Sequence, residues 1–434
     1  MTGYTSQRAI AEPEQVNALL EETGVDVLVA TEFTSLYYLS GVWSTPTITV
    51  GDENYAKTGF YTDFAPPKTV AVWPRGAGEP CVILPAVVAT RLADEGVPLD
   101  IDRVYVYGRP SNSGGAFAGS VTDDLRHLGR LFDRPTYEGR VDALDAVFAD
   151  AVGAAGVIAL EQAAPATGLS ADATLLYEAL DQPGRRVVDG SQVLQRLTAV
   201  KTEEEIRRIR AVTELTESVI EEAVTELEAG MTEREFVALA KQKVYERGGF
   251  EQFPLDHNHI GFGPHTAYPH VVPSDYELER GDLVRFEFGC RYERYPSDTA
   301  RTFVFGEATD VQRERYATLR AGMRQCRELL AAHEDADVVF EETVAAVREA
   351  ATKRGIDDLA AFDPSMVGHN HGMLLHDPPI LTDRSRELRP GMVMTYELFG
   401  GEWGVGAIQL EDTVVLTEDG IEPLSTCPAE LPVV

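Results

Sequence analysis

The sequence predicts an α/β chain, α+β in its second half, built as two domains, and three observations carry that expectation. At 434 residues it is too long for one ordinary hydrophobic core. Short apolar strands alternate with helices from about residue 12 to 194. Beyond residue 197 the pattern changes to long amphipathic helices followed by strands with one polar face. The domains are therefore expected at 1–197 and 198–434.

In the first domain a helix from Glu14 to Glu22 stops at Gly24, and Asp26 to Thr31 reads as a short buried strand. Leu36-Tyr-Tyr-Leu-Ser-Gly41 leads into a long loop through Trp43, Tyr55, Phe60, Tyr61 and Phe64. So many aromatics suit either a lid or an edge packed on a partner subunit. Strands follow at Thr69 to Trp73, Cys81 to Leu84 and Arg103 to Tyr107, with a helix near Ala86 to Asp94 between the last two. Arg109 to Ser120, rich in Ser and Gly, reads as a flexible loop. An Ala-rich helix, the strand Val157 to Glu161 and a helix near Ala171 to Leu180 complete the half. It contains no P-loop, no nucleophile elbow, no Gly-x-Gly-x-x-Gly after a strand and no Cys-x-x-Cys.

In the second domain Glu203 to Leu227 is an amphipathic helix, with Ile206, Ile209, Val212, Val219, Ala223 and Leu227 on one stripe. Gly230 ends it, and Thr232 with Glu235 forms a capping box for a helix that runs to about Arg247. A histidine-rich stretch follows, with His257, His259, His265 and His270. Val284, Phe286 and Phe288 then alternate with Arg285 and Glu287, Gly289 breaks the strand, and Thr302 to Phe305 reads as its return. This hairpin can bring Glu287 near Asp298, and two close carboxylates repel unless a cation or a shared proton lies between them. Helices from about Val311 to Ala332 and Glu341 to Arg354 precede Gly368-His369 and the strands Val393 to Phe399 and Ala407 to Leu416. Alternation sets Glu397 with Thr395, and Glu411 with Gln409 and Thr413, on the less apolar faces.

Composition excludes several classes. The formal net charge is −33, with 71 acidic residues against 38 basic ones. Such a surface repels nucleic acid and anionic membranes, so neither is an expected partner. The balance resembles that of proteins from salt-accumulating cells, where concentrated ions screen self-repulsion, and a solvated acidic coat accounts for most of the acids. The first residues lack the apolar core of a signal peptide. Cys81, Cys290, Cys326 and Cys427 match no metal or redox spacing. A cytoplasmic setting is expected.

The second half thus offers four carboxylates on strands or strand ends and one histidine in a glycine-flanked loop. Oxygen donors with a single imidazole suit two hard or borderline divalent ions, such as Mn, Co, Fe or Zn. Such ions can make a nucleophilic hydroxide from water at neutral pH and polarise a carbonyl.

The order and spacing of these residues resemble the methionine aminopeptidase, prolidase and creatinase family. The matching residues are Phe288-Gly289, Ser297-Asp298, Arg301-Thr302, Gly368-His369, Gly372, Thr395-Tyr396-Glu397 and Glu411-Asp412-Thr413. The motifs cover about residues 198 to 434, and Tyr38-Leu39-Ser40-Gly41 resembles the creatinase-type N-terminal domain more loosely. The resemblance implies a creatinase-like α/β domain followed by a pita-bread catalytic domain, a curved antiparallel sheet with flanking helices. It implies Glu287, Asp298, His369, Glu397 and Glu411 as ligands of two divalent ions, manganese favoured, with Asp298 and Glu411 bridging. His270 and His376 fall where the Xaa-Pro branch has substrate-binding and proton-handling histidines. A homodimer is implied as well.

The sequence departs from the family at three places. Glu287 stands where the family has Asp, which moves the carboxylate by about 1.5 Å. Gln409 replaces an Arg two residues before the final Glu, removing a charge that braces the cluster. Leu398 replaces the Pro after the strand Glu, and the Tyr of the following loop is missing. The expected function is an Xaa-Pro aminopeptidase or Xaa-Pro dipeptidase acting on a small peptide. A hydroxide between the metals attacks the amide, Glu397 carries the proton, and His270 and His376 stabilise the tetrahedral intermediate. The alternative is a non-peptidase enzyme on the same scaffold taking a small amide or related substrate: creatinase-like, an ectoine-type amidohydrolase, or a sulfonium lyase.

Overall fold

The computed structural model describes residues 10–42, 69–86, 89, 101–108, 134–154, 156–161, 171–252, 259–382, 384 and 387–434. The aromatic loop, the Ser/Gly-rich loop, most of the helix expected near Ala86 to Asp94 and His257 lie outside them. The chain divides into two compact units, Met1–Leu197 and Thr198–Val434.

The first unit is built on a seven-stranded mixed sheet. Its strands are β1 (Val27–Ala30), β2 (Val70–Pro74), β3 (Cys81–Pro85), β4 (Val104–Tyr107), β5 (Thr136–Tyr137), β6 (Val157–Leu160) and β7 (Arg186–Asp189). Their order across the sheet is β5-β4-β3-β2-β1-β6-β7. β2 runs antiparallel to both neighbours, and the other pairs are parallel. β1 is buried along its whole length, which fits its uninterrupted apolar run. The helix Pro13–Thr23 starts with Pro in its first turn and ends on Gly24 at φ 67°, the left-handed conformation that glycine adopts without strain. Phe33–Ser40 is also helical, and the sequence reading missed it because the segment is short and apolar on nearly every side.

The second unit opens with the helices Glu203–Val224 and Glu233–Glu246, each started by a capping box, Thr202 with Glu205 and Thr232 with Glu235. Small strands β8 (Phe250–Glu251), β11 (Cys290–Tyr292) and β12 (Tyr295–Pro296) pair in the order β12-β11-β8. β9 (His259–Phe262), β10 (Leu283–Phe288) and β13 (Thr299–Val304) form a second antiparallel sheet, β13-β10-β9. A third sheet has the order β15-β14-β16-β17-β18, from β14 (Gly368–Asn370), β15 (Asp377–Ile380), β16 (Val393–Glu402), β17 (Gly406–Thr417) and β18 (Gly420–Pro423). The long helices Asp310–Ala331 and Ala336–Arg354 bury Leu319, Met323, Val339 and Val347 against Tyr396, Leu398 and Leu410 of this sheet. One face of the sheet is therefore core, and period-two alternation leaves Glu397, Gln409 and Glu411 on the other.

The less conspicuous motif residues stitch the sheets together. Arg301 on β13 pairs with Asp412 at 3.2 Å and Glu217 at 2.6 Å and donates to the Glu411 carbonyl. Thr302 Oγ1 donates to Gln409 O at 2.9 Å and accepts from Gln409 N at 3.0 Å. β13 is thus fixed beside β17, and Asp298, just before β13, is fixed relative to Glu411.

Candidate metal centre

Each acidic residue singled out in the sequence reaches one cavity of about 620 Å³, lined by Glu287, Asp298, Glu397 and Glu411 with His270 and His376. Glu287 leaves β10 one register step from the start of β13, opposite Ala300. Glu397 and Glu411 are direct partners across β16 and β17. Asp298 is held from behind by Ser297, whose Oγ bonds Thr216 Oγ1 at 2.6 Å and accepts from Cys290 N at 3.0 Å. His369 is fully buried on β14. Gly368 precedes it at φ 152°, where a Cβ would collide with the Thr395 carbonyl and lie 2.8 Å from Tyr396 Cα. The Gly-His pair is thus a packing requirement as well as a chemical one.

Ligand atoms of His369, Glu397 and Glu411 all lie within 4.8 Å of one another. His369 Nδ1 donates to Asn370 O at 3.2 Å, which leaves the Nε2 lone pair facing Asp298 Oδ2 at 3.4 Å. His369 Nε2 and Glu411 Oε2 are buried without a hydrogen-bond partner. Burial, then the neighbouring Glu287, pushes both Asp298 and Glu397 up to about 7. Burial and the charges of Asp298 and Glu397 raise Glu411 well above the ordinary carboxylate range. Burial also lowers His369 and His376, so both imidazoles favour the neutral form. Orphaned donor atoms and crowded carboxylates are what a divalent cation would relieve, and oxygen donors with one imidazole suit it. The residues present fit such an ion.

The departures from the family pattern have visible consequences. Glu287 Oε1 accepts from His259 Nδ1 at 3.0 Å, so its longer arm is turned toward β9. Gln409 Nε2 donates to Glu397 Oε2 at 3.0 Å, a neutral brace. Leu398 points into the core. His376 packs against His369 with ring centroids 4.2 Å apart, and His270, on an exposed turn, stacks on His259 at 4.9 Å.

Several residues around the site escaped the sequence reading. His371 is buried just past β14, two positions from His369, and shares a group with Asp298 and His369 whose ligand atoms lie within 4.8 Å. Its Nε2 donates to Pro296 O at 3.0 Å, and burial pushes it down to about 3. Its place in the same Gly-His-Asn-His-Gly run could have flagged it. Lys201 is buried and donates to Asn370 Oδ1 at 2.9 Å and Asp377 Oδ2 at 3.3 Å, flanking both ends of the His369 segment. No local signal connects residue 201 to residues 370 and 377.

The sheets and their buried acid–imidazole cluster define a protein with a candidate divalent-metal centre. Residues 207–418 match metallopeptidase family M24, and the chain carries a domain of that family. It is 32% identical over 240 residues to an Xaa-Pro dipeptidase of Pyrococcus furiosus, covering 55% of this chain and 66% of the relative. It is 33% identical over 260 residues to a probable dipeptidase of Mycobacterium tuberculosis, covering 58% of this chain and 66% of the relative. The matches thus span just under two thirds of these relatives. Among solved structures, an X-Pro aminopeptidase of Thermotoga maritima superposes with a TM-score of 0.70 at 21% identity, over 96% of this chain and 100% of that one. A prolidase of Pyrococcus horikoshii gives 0.67 at 20% identity, over 96% and 99%. These likenesses establish the fold, the pita-bread arrangement with its preceding α/β domain.

Proposed function

We propose that the chain is a metal-dependent hydrolase that cleaves the amide bond before proline, as an Xaa-Pro dipeptidase or aminopeptidase. The observation that carries this is the buried meeting of Asp298, His369, Glu397 and Glu411, with orphaned donor atoms, at the floor of a cavity that suits a dipeptide-sized ligand. Asp298, His369, Glu397 and Glu411 would hold one ion, and Glu287 with Asp298 and Glu411 a second. When bound, such ions supply Lewis acidity and lower the pKa of water. Gln409 orients the Glu397 carboxylate, which is placed to take up a proton and return it to the leaving amine. Neutral His376 offers an N–H to the developing oxyanion, and His270 approaches from the exposed turn. Manganese is the favoured ion, with cobalt, zinc or iron suited to the same donors.

The proposal includes a cytoplasmic homodimer, the dimer by analogy with the family, working in concentrated salt on the strength of the −33 charge. No helix among the described residues is long and apolar enough to cross a membrane. Sedimentation in molar KCl tests the dimer, and a single monomeric species removes it. Release of proline from Xaa-Pro dipeptides, dependent on added Mn²⁺ and abolished by a chelator, tests the chemistry. Gln409 in place of a cation favours one second reading, a metal-dependent enzyme for a small non-peptide amide. Chelator-sensitive turnover of such amides with none on Xaa-Pro peptides would select it.

A further inference from the structure

Arg285 is fully buried on β10, two residues before Glu287 and on the same strand face. A buried guanidinium needs partners for its donors, and these partners are specific. Nη1 donates to Thr266 O at 2.9 Å and Tyr268 O at 2.8 Å, and Nη2 donates to Pro269 O at 2.7 Å. The same Nη2 lies 3.6 Å from Glu287 Oε2, and the guanidinium sits 5.0 Å above the Phe399 ring. Its β9 partner is Gly261, where a Cβ would come within 3.3 Å of the His265–Thr266 backbone, so the 263–269 turn folds back closely over β9. The first part of the turn is buried, with Thr266 Oγ1 also accepting from Ala407 N at 2.7 Å, but its end is open: Tyr268 is 52% exposed, and Pro269 and His270 are exposed as well. One buried cation therefore holds the carbonyls of Thr266, Tyr268 and Pro269, the last two immediately before His270, and faces a carboxylate of the cluster from the other side.

We infer that Arg285 is a positioning residue that tethers the turn carrying His270 to the acidic cluster through Glu287. The inference rests on the hydrolase reading only for the role of His270; the tether itself is independent of turnover. Three charge-assisted bonds, two of them to the adjacent carbonyls of Tyr268 and Pro269, fix the backbone immediately before His270, which sets where the imidazole stands over the cavity. A lysine ammonium cannot span three carbonyls in one plane, so the arrangement is specific to the guanidinium fork.

The experiment compares wild type with Arg285→Leu, Arg285→Lys and Arg285→Leu/Gln409→Arg. Hydrogen–deuterium exchange of the full-length protein reads residues 264–272, and thermal melting checks folding. Manganese-dependent cleavage of an Xaa-Pro dipeptide reads kcat and KM. Exchange in 264–272 is expected to rise by at least about ten-fold in Arg285→Leu, the protection carried by bonds of this strength, and partly in Arg285→Lys. The long helices should keep their protection. kcat should fall about 100-fold with KM nearly unchanged, as for a misplaced catalytic group. In a His270→Ala background the same substitution should cost less than about three-fold, because the two act together. The Gln409→Arg addition should restore neither, since it returns charge beside Glu397 without reaching the turn. Unchanged exchange in 264–272, an additive loss with His270→Ala, or rescue by Gln409→Arg would overturn the tether. If Arg285→Leu does not fold, Arg285→Lys carries the same comparison. Raised exchange in a protein that cleaves no Xaa-Pro dipeptide would retain the tether and remove the peptidase reading instead.

Discussion

The metal-free protein should lose stability as pH rises through neutrality, and metal should reverse that trend. Asp298 is raised from 3.8 to about 7 and Glu397 from 4.5 to about 7, both chiefly by burial and then by Glu287. A carboxyl with a raised folded-state value binds its proton more tightly in the folded chain than in the unfolded one. Its contribution is complete below the unfolded value and disappears as pH climbs through the folded value. Between pH 5 and 7 the Asp298 window alone is worth roughly 3 kcal/mol, at 1.36 kcal/mol per unit. Glu397 and Asp298 interact, so their contributions do not simply add. For a unit of this size roughly 3 kcal/mol corresponds to a fall of about 6–12 °C in melting temperature. A bound divalent ion favours the charged carboxylates, so protons compete with it and the loaded protein should gain stability over the same range. Melting followed by circular dichroism from pH 5 to 8 in molar KCl, with chelator or with Mn²⁺, reads both slopes while salt screens the acidic surface. Asp298→Asn should flatten the metal-free slope. The buried His369, His371 and His376, whose folded-state values are lowered by burial, contribute the opposite slope below about pH 6.5, so the test is the difference between variants. An Asp298→Asn protein whose metal-free melting temperature changes with pH as wild type does would refute the electrostatic account of the site.

Other substitutions probe separate parts of the structure. His369→Ala removes the one imidazole grouped with Glu397 and Glu411; Mn²⁺ affinity measured by calorimetry should fall at least about 100-fold while the fold survives. Glu397→Gln keeps the shape but removes the proton carrier, and kcat should drop at least about 100-fold, the scale of general acid–base catalysis. Lys201→Met leaves Asp377 buried without its cation, and denaturant melts should show a loss of about 3–5 kcal/mol. Gly368→Ala drives a Cβ into the backbone of β16; the soluble yield and melting temperature should fall sharply, with metal affinity lost alongside.

What the sequence disclosed, and what it withheld, follows from how far apart the cooperating residues lie. A capping box acts over three residues and made the start of the helix at Glu233 legible, while the apolar stripe placed the helix that starts at Glu203. Strand alternation acts over two, and it set Glu397 and Glu411 on one face before their pairing was visible. The spacing of the motif residues supplied the rest of the candidate cluster. The supports of that cluster have no such signature. Arg285 read as one polar residue in an alternating strand, the pattern of a solvent-facing side chain, yet it is fully buried because the 263–269 turn folds over it. His371 was hidden by the more prominent histidine beside it, and Lys201 by a separation of 169 residues from Asn370. Glu287 is the instructive case. Its identity marked a departure, but only the cross-strand register with β9 places His259 opposite it, and His259 decides where the longer arm goes. Neutral Gln409 and cationic Arg285 stand on strands that both flank β13, each beside a different carboxylate of the same group. The acidic centre is therefore braced by neutral contact from β17 and by a cation from β10, an arrangement that only the three-dimensional neighbourhood of β13 makes visible.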